Sequence, residues 1–218
     1  MRYRRSAAVL VSLAALPALA PAAHADPSTG AGAGKVVPFV SVGGLSVNDL
    51  LAEDFRPYYT GEAVPACKLL AGGKLLRLKA DSNCTVKPGT QVLVGLPGAT
   101  CSDAEEPPFY AATAAEQRAC ALDFVREGIN EIMVSVDGGP PQDLLNDRFL
   151  SVTDQFSVVS QPGNPFGATP GPTTLAAAGY EAVLRGMPPG PHSYVVSGDA
   201  FGQFTAHFTF NVLPGADR

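Results

Sequence analysis

The sequence predicts a mainly β chain, an antiparallel β-sandwich carrying one short α-helix. Three observations point there. Glycine and proline are abundant, 23 and 20 of 218 residues, and tryptophan is absent, a composition that suits a turn-rich architecture better than a helical bundle. Short apolar runs follow one another with turn residues between them, the spacing expected of a sandwich. One short helix is marked, over residues 114–127, by a helix-start signal and helical apolar spacing.

Taken in order, the chain opens on a basic segment with Arg2, Arg4 and Arg5, then an apolar run from Ala7 to Ala20 broken only by Ser12 and Pro17. Ala23-His24-Ala25 supplies the small-x-small pattern of signal-peptidase cleavage. The run is short for a membrane span, which needs about 20 residues. Residues 1–25 are therefore expected to be a signal peptide, with Asp26 as the new terminus. No cysteine lies just after the apolar run, and no apolar tail follows Leu213, so neither a lipid anchor nor a terminal membrane anchor is expected.

Residues 26–34 (DPSTGAGAG) read as a flexible leader, and residues 35–218 as a single sandwich domain. Val36 to Val42 is a first strand, and Asp54 to Thr60, rich in proline and tyrosine, reads as a loop. KLLRLKA and CTVKPGTQVLVGL are strand-like, with Lys87-Pro88-Gly89-Thr90 as the turn in the second. Residues 101–112 form an acidic, proline-containing loop. Thr113 caps the predicted helix and Glu116 completes a capping box; Ala115, Ala119, Leu122 and Val125 follow at helical spacing, and Gly128 stops it.

Beyond the helix the period changes to two. Ile132, Val134 and Val136 alternate with Met133 and Ser135 before the Asp137-Gly138-Gly139 turn. Arg148 to Val159 is another strand region, followed by the loop QPGNPFGATPGPTT. Tyr180 to Leu184 leads into the rigid turn Met187-Pro188-Pro189-Gly190-Pro191, and two closing strands run over about 192–197 and 204–212.

Charge and cysteines narrow the function classes. Removing the first 25 residues takes three arginines and no acids, so the net charge moves from −5 to −8. That acidity argues against nucleic acid and anionic membrane as partners, since both require clustered lysine and arginine. All four cysteines, Cys67, Cys84, Cys101 and Cys120, lie beyond the cleavage point and read as disulfides in an oxidising compartment. Three pairings are possible; Cys67–Cys84 with Cys101–Cys120 is expected because both close short local loops. The spacings are too wide for the C-x(2–4)-C knuckles of structural zinc.

NCTVKPGTQVLVGLPGATC, the helix EQRACALDFV and then MVSVDGGPPQDL resemble an uncharacterised family of secreted bacterial and archaeal proteins. In that family a Cys-x-Val-x-Pro-Gly segment precedes a cysteine-bearing helix and a VDG strand end. The tail LRGMPPGPHSYVVSGDAFGQFTAHFTFNV continues the likeness with its Pro-Gly-x-His turn, and is also similar to the closing hairpin of bacterial immunoglobulin-like domains. The resemblance covers residues 67–212 in patches. It implies an extracellular sandwich, immunoglobulin-like or jelly-roll-like, and brings no catalytic residues.

Reactive constellations are not marked. His192 and His207 fall in one hairpin, but with Phe204, Ala206, Phe208 and Phe210 facing inward, His207 points out while His192 shares the inward parity of Tyr194 and Val196. The two histidines therefore do not share a metal. There is no G-x-S-x-G elbow, and Glu105, Glu106 and Asp123 are candidate paired carboxylates by type only. The Asp103, Glu105, Glu106 loop lacks EF-hand spacing and reads first as a solvated acidic tip. The loop-borne aromatics Tyr58, Tyr59, Phe109, Tyr110 and Phe166 are candidate binding residues for a protein or glycan ligand, with plugging of the sandwich ends as the other reading. The expectation is a non-enzymatic exported binding module without metal or cofactor. A secreted hydrolase with an unmarked site and a calcium-dependent binder are the alternatives.

Overall fold

The computed structural model describes residues 34–215. The expected signal peptide and all of the leader except Gly34 lie outside the described residues. The first half of the chain runs β1 (Lys35–Pro38), the hairpin β2 (Ser41–Val42) and β3 (Leu45–Ser46), helix α1 (Val47–Thr60), β4 (Cys67–Leu70), β5 (Leu75–Leu78), β6 (Asn83–Val86), β7 (Gln91–Val94) and β8 (Gly98–Ser102). Helix α2 (Ala114–Gly128) follows, then β9 (Ile129–Val136), β10 (Gln142–Asp143), β11 (Leu150–Val152) and β12 (Phe156–Ser160). The chain closes with β13 (Gly171–Tyr180), β14 (Ala182–Arg185), β15 (Gly190–Ala200) and β16 (Gln203–Val212).

Two five-stranded sheets form the sandwich, in the orders β1-β14-β7-β5-β4 and β10-β9-β15-β16-β6. Between them Leu76, Val92, Val94 and Leu184 of the first sheet meet Ile132, Val134, Tyr194, Phe208 and Phe210 of the second. Tyr194 stacks on Phe208 with ring centroids 4.5 Å apart and donates its hydroxyl to Leu93 O at 3.1 Å, tying one sheet to the other through the core. The sheets are mixed, not purely antiparallel: β5 pairs with β7, and β6 with β16, in parallel.

A third sheet, β11-β13-β12 with β8 beside β13, is covered on both faces. Ala176 pairs with Cys101, and Cys101 is bonded to Cys120 of α2. The next residue back, Leu175, points the other way, as strand neighbours must, and packs with Tyr59 of α1. Helices on both faces explain why Leu175, Ala176, Ala177 and Ala178 are all fully buried. They also explain why no alternation marks β13 in the sequence.

The disulfides pair as expected, Cys67–Cys84 and Cys101–Cys120. Helix α2 has the expected capping box, Thr113 Oγ1 accepting from Glu116 N at 3.3 Å and Glu116 Oε2 accepting from Thr113 N at 3.0 Å. Its buried face is Gln117, Ala121 and Val125; Ala115 and Ala119, expected on that face, are exposed. Gln117 takes that face, its amide donating to Ala111 O in a buried bond and to Thr174 O in a half-buried one.

One expectation fails outright. Residues 54–60 are the end of helix α1 rather than a loop, so the described residues hold two α-helices. Ser46 caps α1 and accepts from Asp49 N at 3.2 Å in a second capping box. Gly61 ends the helix at φ 70°, donating its N–H to Pro57 O, a left-handed cap that glycine adopts without steric cost.

Candidate functional site

Helix α1 lies across the outer face of the first sheet and reaches the third. Leu50 packs with Phe39, Val42, Leu75, Leu93 and Val183, which seats its first half. Its solvent side forms one wall of an open cleft of about 410 Å³, within the roughly 300–1,000 Å³ usual for ligand pockets. Leu45, Ala52, Leu70, Ala71 and Phe156 give the cleft its apolar lining, and Asp49, Glu53, Arg56 and Lys68 its charges. Glu53 lies 3.4 Å from Lys68 Nζ and 3.8 Å from Arg56 Nε. Arg56 donates to Ser157 O at 3.0 Å and covers the Phe156 ring at 5.7 Å, so the wall opposite the helix is fixed by the edge of β12. A second open cleft, about 340 Å³, lies between β1 and β9, with Val36, Val37, Val134, Val136 and Pro140 among its lining residues.

The opposite side of α1 rests on ionisable groups. One turn on from Leu50, Asp54 Oδ1 lies 2.9 Å from Arg77 Nη1 of β5. No donor is aligned to hydrogen-bond that oxygen, which is shut off from water, although the Asp54 side chain as a whole keeps 20 % of its surface. Burial raises Asp54 to about 6, against the pull of the Arg77 and Lys68 charges. Glu181, between β13 and β14, is buried too, and desolvation followed by the Asp54 charge holds its carboxyl well above the ordinary range.

Further along the helix, Tyr59 is fully buried. Its hydroxyl lies 2.7 Å from Thr100 Oγ1 and donates to Glu105 Oε2 at 3.0 Å. Burial lifts Glu105 to about 7, partly offset by hydrogen bonds from Ser102 and Tyr59. The Tyr59 phenol is pushed far up, first by burial and then by the Glu105 carboxylate.

These positions revise the sequence reading. Glu105 is not part of a solvated tip: it is 6 % exposed and turned onto α1, while Glu106 stays exposed. Asp103 turns away from both to accept from Thr174 N and Oγ1 at 2.9 and 2.7 Å. The three acids of the loop thus diverge, and among the described residues no three histidine, cysteine, aspartate or glutamate side chains gather as metal ligands.

The aromatic candidates separate as well. Tyr58 and Tyr59 are helical, and only Tyr58 faces water, at 42 % exposure. Phe166 folds back on both, with centroids 5.6 and 5.0 Å away. Phe109 stacks on Phe124 of α2 at 4.4 Å, so it plugs the structure, whereas Tyr110 is 50 % exposed. His192 pairs with Phe210 and His207 with Val195, which puts the histidines on opposite faces as the register predicts. His207 is exposed; the His192 ring lies 2.8 Å from both Pro188 O and Asp137 Oδ2.

The cleft residues escaped the sequence reading because they come from three separate stretches, 45–56, 68–71 and 156, brought together by the fold. The signal that could have found the helix is Ser46-x-x-Asp49, a capping box ahead of an apolar run. Compared with family models, curated proteins and solved structures, the chain matches none.

Proposed function

We propose that this protein is an exported, non-enzymatic binding module that takes an extended polypeptide at the α1 cleft. The cleft itself carries the reading: an apolar floor, two carboxylates and two cations on the rim, and β4 alongside it. Strand β4 is the edge of its sheet, and Lys68 and Leu70 of β4 line the cleft. A sheet edge presents unpaired backbone groups that an added strand can satisfy. A glycan is the weaker fit, because sugars stack on open aromatic faces and Phe156 has the Arg56 guanidinium over its ring. Two disulfides suit an oxidising compartment outside the cytoplasm. Among the described residues no helix is long and apolar enough to cross a membrane.

Ala52→Arg fills the cleft from a half-buried helix position without disturbing the core. Peptides selected by display on the oxidised protein are expected to bind wild type and lose at least about tenfold in affinity on A52R. Peptides that bind both equally would overturn the reading, as would a melting-temperature rise caused by wall oligosaccharides in wild type and abolished in A52R.

A further inference from the structure

Three carboxyl groups lie under the one helix that carries the cleft. Asp54 belongs to α1, Glu181 sits where β13 passes into β14, and Glu105 is held by the α1 residue Tyr59. The charged groups acting on the first two are few: Arg77 from β5, Lys68 from β4, Glu53 from α1 itself, and each other. Around Glu105 the polar partners are Tyr59 of α1 and Ser102 of β8, with no cation among them. One guanidinium can balance one carboxylate of the Asp54–Glu181 pair. A second negative charge there, or any at Glu105, would be buried without a counter-ion, which costs far more than keeping the proton.

We propose that α1 is a proton-linked seat: it docks firmly while Glu105 and one of the Asp54–Glu181 pair are protonated, and loosens when these groups ionise. The linkage follows from occupancy. The docked helix retains protons that the same carboxyls release once they reach water, so a rise in pH favours the undocked state. The Glu105 value, about 7, places its part of the change near neutral pH, and Glu181, held well above the ordinary carboxylate range, keeps its proton at least as long. Since α1 forms one wall of the cleft, the device would couple that cleft to external pH. The linkage itself stands whether or not the cleft takes a peptide.

Hydrogen exchange of the full mature chain tests this, with protection factors corrected for intrinsic exchange and compared at pH 5 and pH 7.5. Amides of α1, including Leu50, Leu51 and Tyr59, are expected to lose at least about tenfold in protection relative to the β15–β16 hairpin, since each extra proton held contributes up to about tenfold per pH unit. In the Glu105→Gln, Glu181→Gln double variant that relative loss should vanish. Should the double variant not fold, Glu105→Gln alone is expected to reduce the loss, and carbon-detected NMR titration of the wild-type carboxyls provides a direct reading. The proposal is overturned if α1 and the hairpin lose protection in parallel, if the variants keep the wild-type pH dependence, or if Glu105 and Glu181 both titrate in the ordinary carboxylate range.

Discussion

Tyr59 of α1 and Glu105 of the loop after β8 meet at 3.0 Å, the phenol donating to the carboxyl oxygen in a buried site. The bond joins the end of a helix to a segment 46 residues further along the chain. Its strength depends on which protons are present, because burial raises both groups.

Glu105→Gln should therefore flatten part of the pH dependence of stability. The folded chain holds the Glu105 proton up to about pH 7, whereas an exposed glutamate releases it near 4.5. Between those values the unfolded state binds fewer protons, so this group's contribution falls as pH rises and is constant above about 7. Thermal melts from pH 4 to 8 should show a smaller decline for E105Q than for wild type. A steeper decline would contradict the assignment.

Tyr58 and Tyr59 should differ sharply despite being neighbours. Tyr58→Ala removes a half-exposed ring that packs on Phe166 and is expected to cost no more than about 1.5 kcal/mol. Tyr59→Ala opens a cavity beside Leu175 and strips two hydrogen bonds, costing about 3–5 kcal/mol. Urea unfolding of the two single variants separates these outcomes.

The inter-sheet bond is expected to respond to a single atom. Tyr194→Phe leaves ring packing in place but deprives the Leu93 carbonyl of its donor, a loss of about 1–3 kcal/mol. Chemical denaturation at constant pH measures it, and a neutral result would mean that water replaces the hydroxyl.

Removing Cys101 and Cys120 together, as C101A/C120A, should lower stability by about 3 kcal/mol, since the bond closes a 19-residue separation. The comparison is with oxidised wild type by equilibrium urea unfolding. An equal stability would show that packing of Ala121 and Val125 already fixes α2.

The sequence by itself determined the parts governed by local chemistry. Thr113 and Glu116 announce α2, Asp137-Gly138 announces the turn after β9, and the alternation of Phe208 and Phe210 with His207 and Thr209 sets the faces of β16. Each is a property of neighbouring residues, so it is visible without a partner. The same locality gave the disulfide pairing, because both bonds join cysteines close in sequence.

Tertiary structure decided the rest. Pro57 and the adjacent tyrosines read as a loop, yet burial of Leu50, Leu51 and Tyr59 on two sheets stabilises the helix through its last turn. Strand β13 carries no period because both of its faces are covered. Glu105 looks like a solvated acid until Tyr59 arrives from elsewhere in the chain. Arg77, Asp54 and Glu181 are scattered over more than 120 positions and meet only when α1 docks. Solvation and counter-ions are set by residues distant in sequence, so the protonation of these groups is a property of the fold and not of the chain.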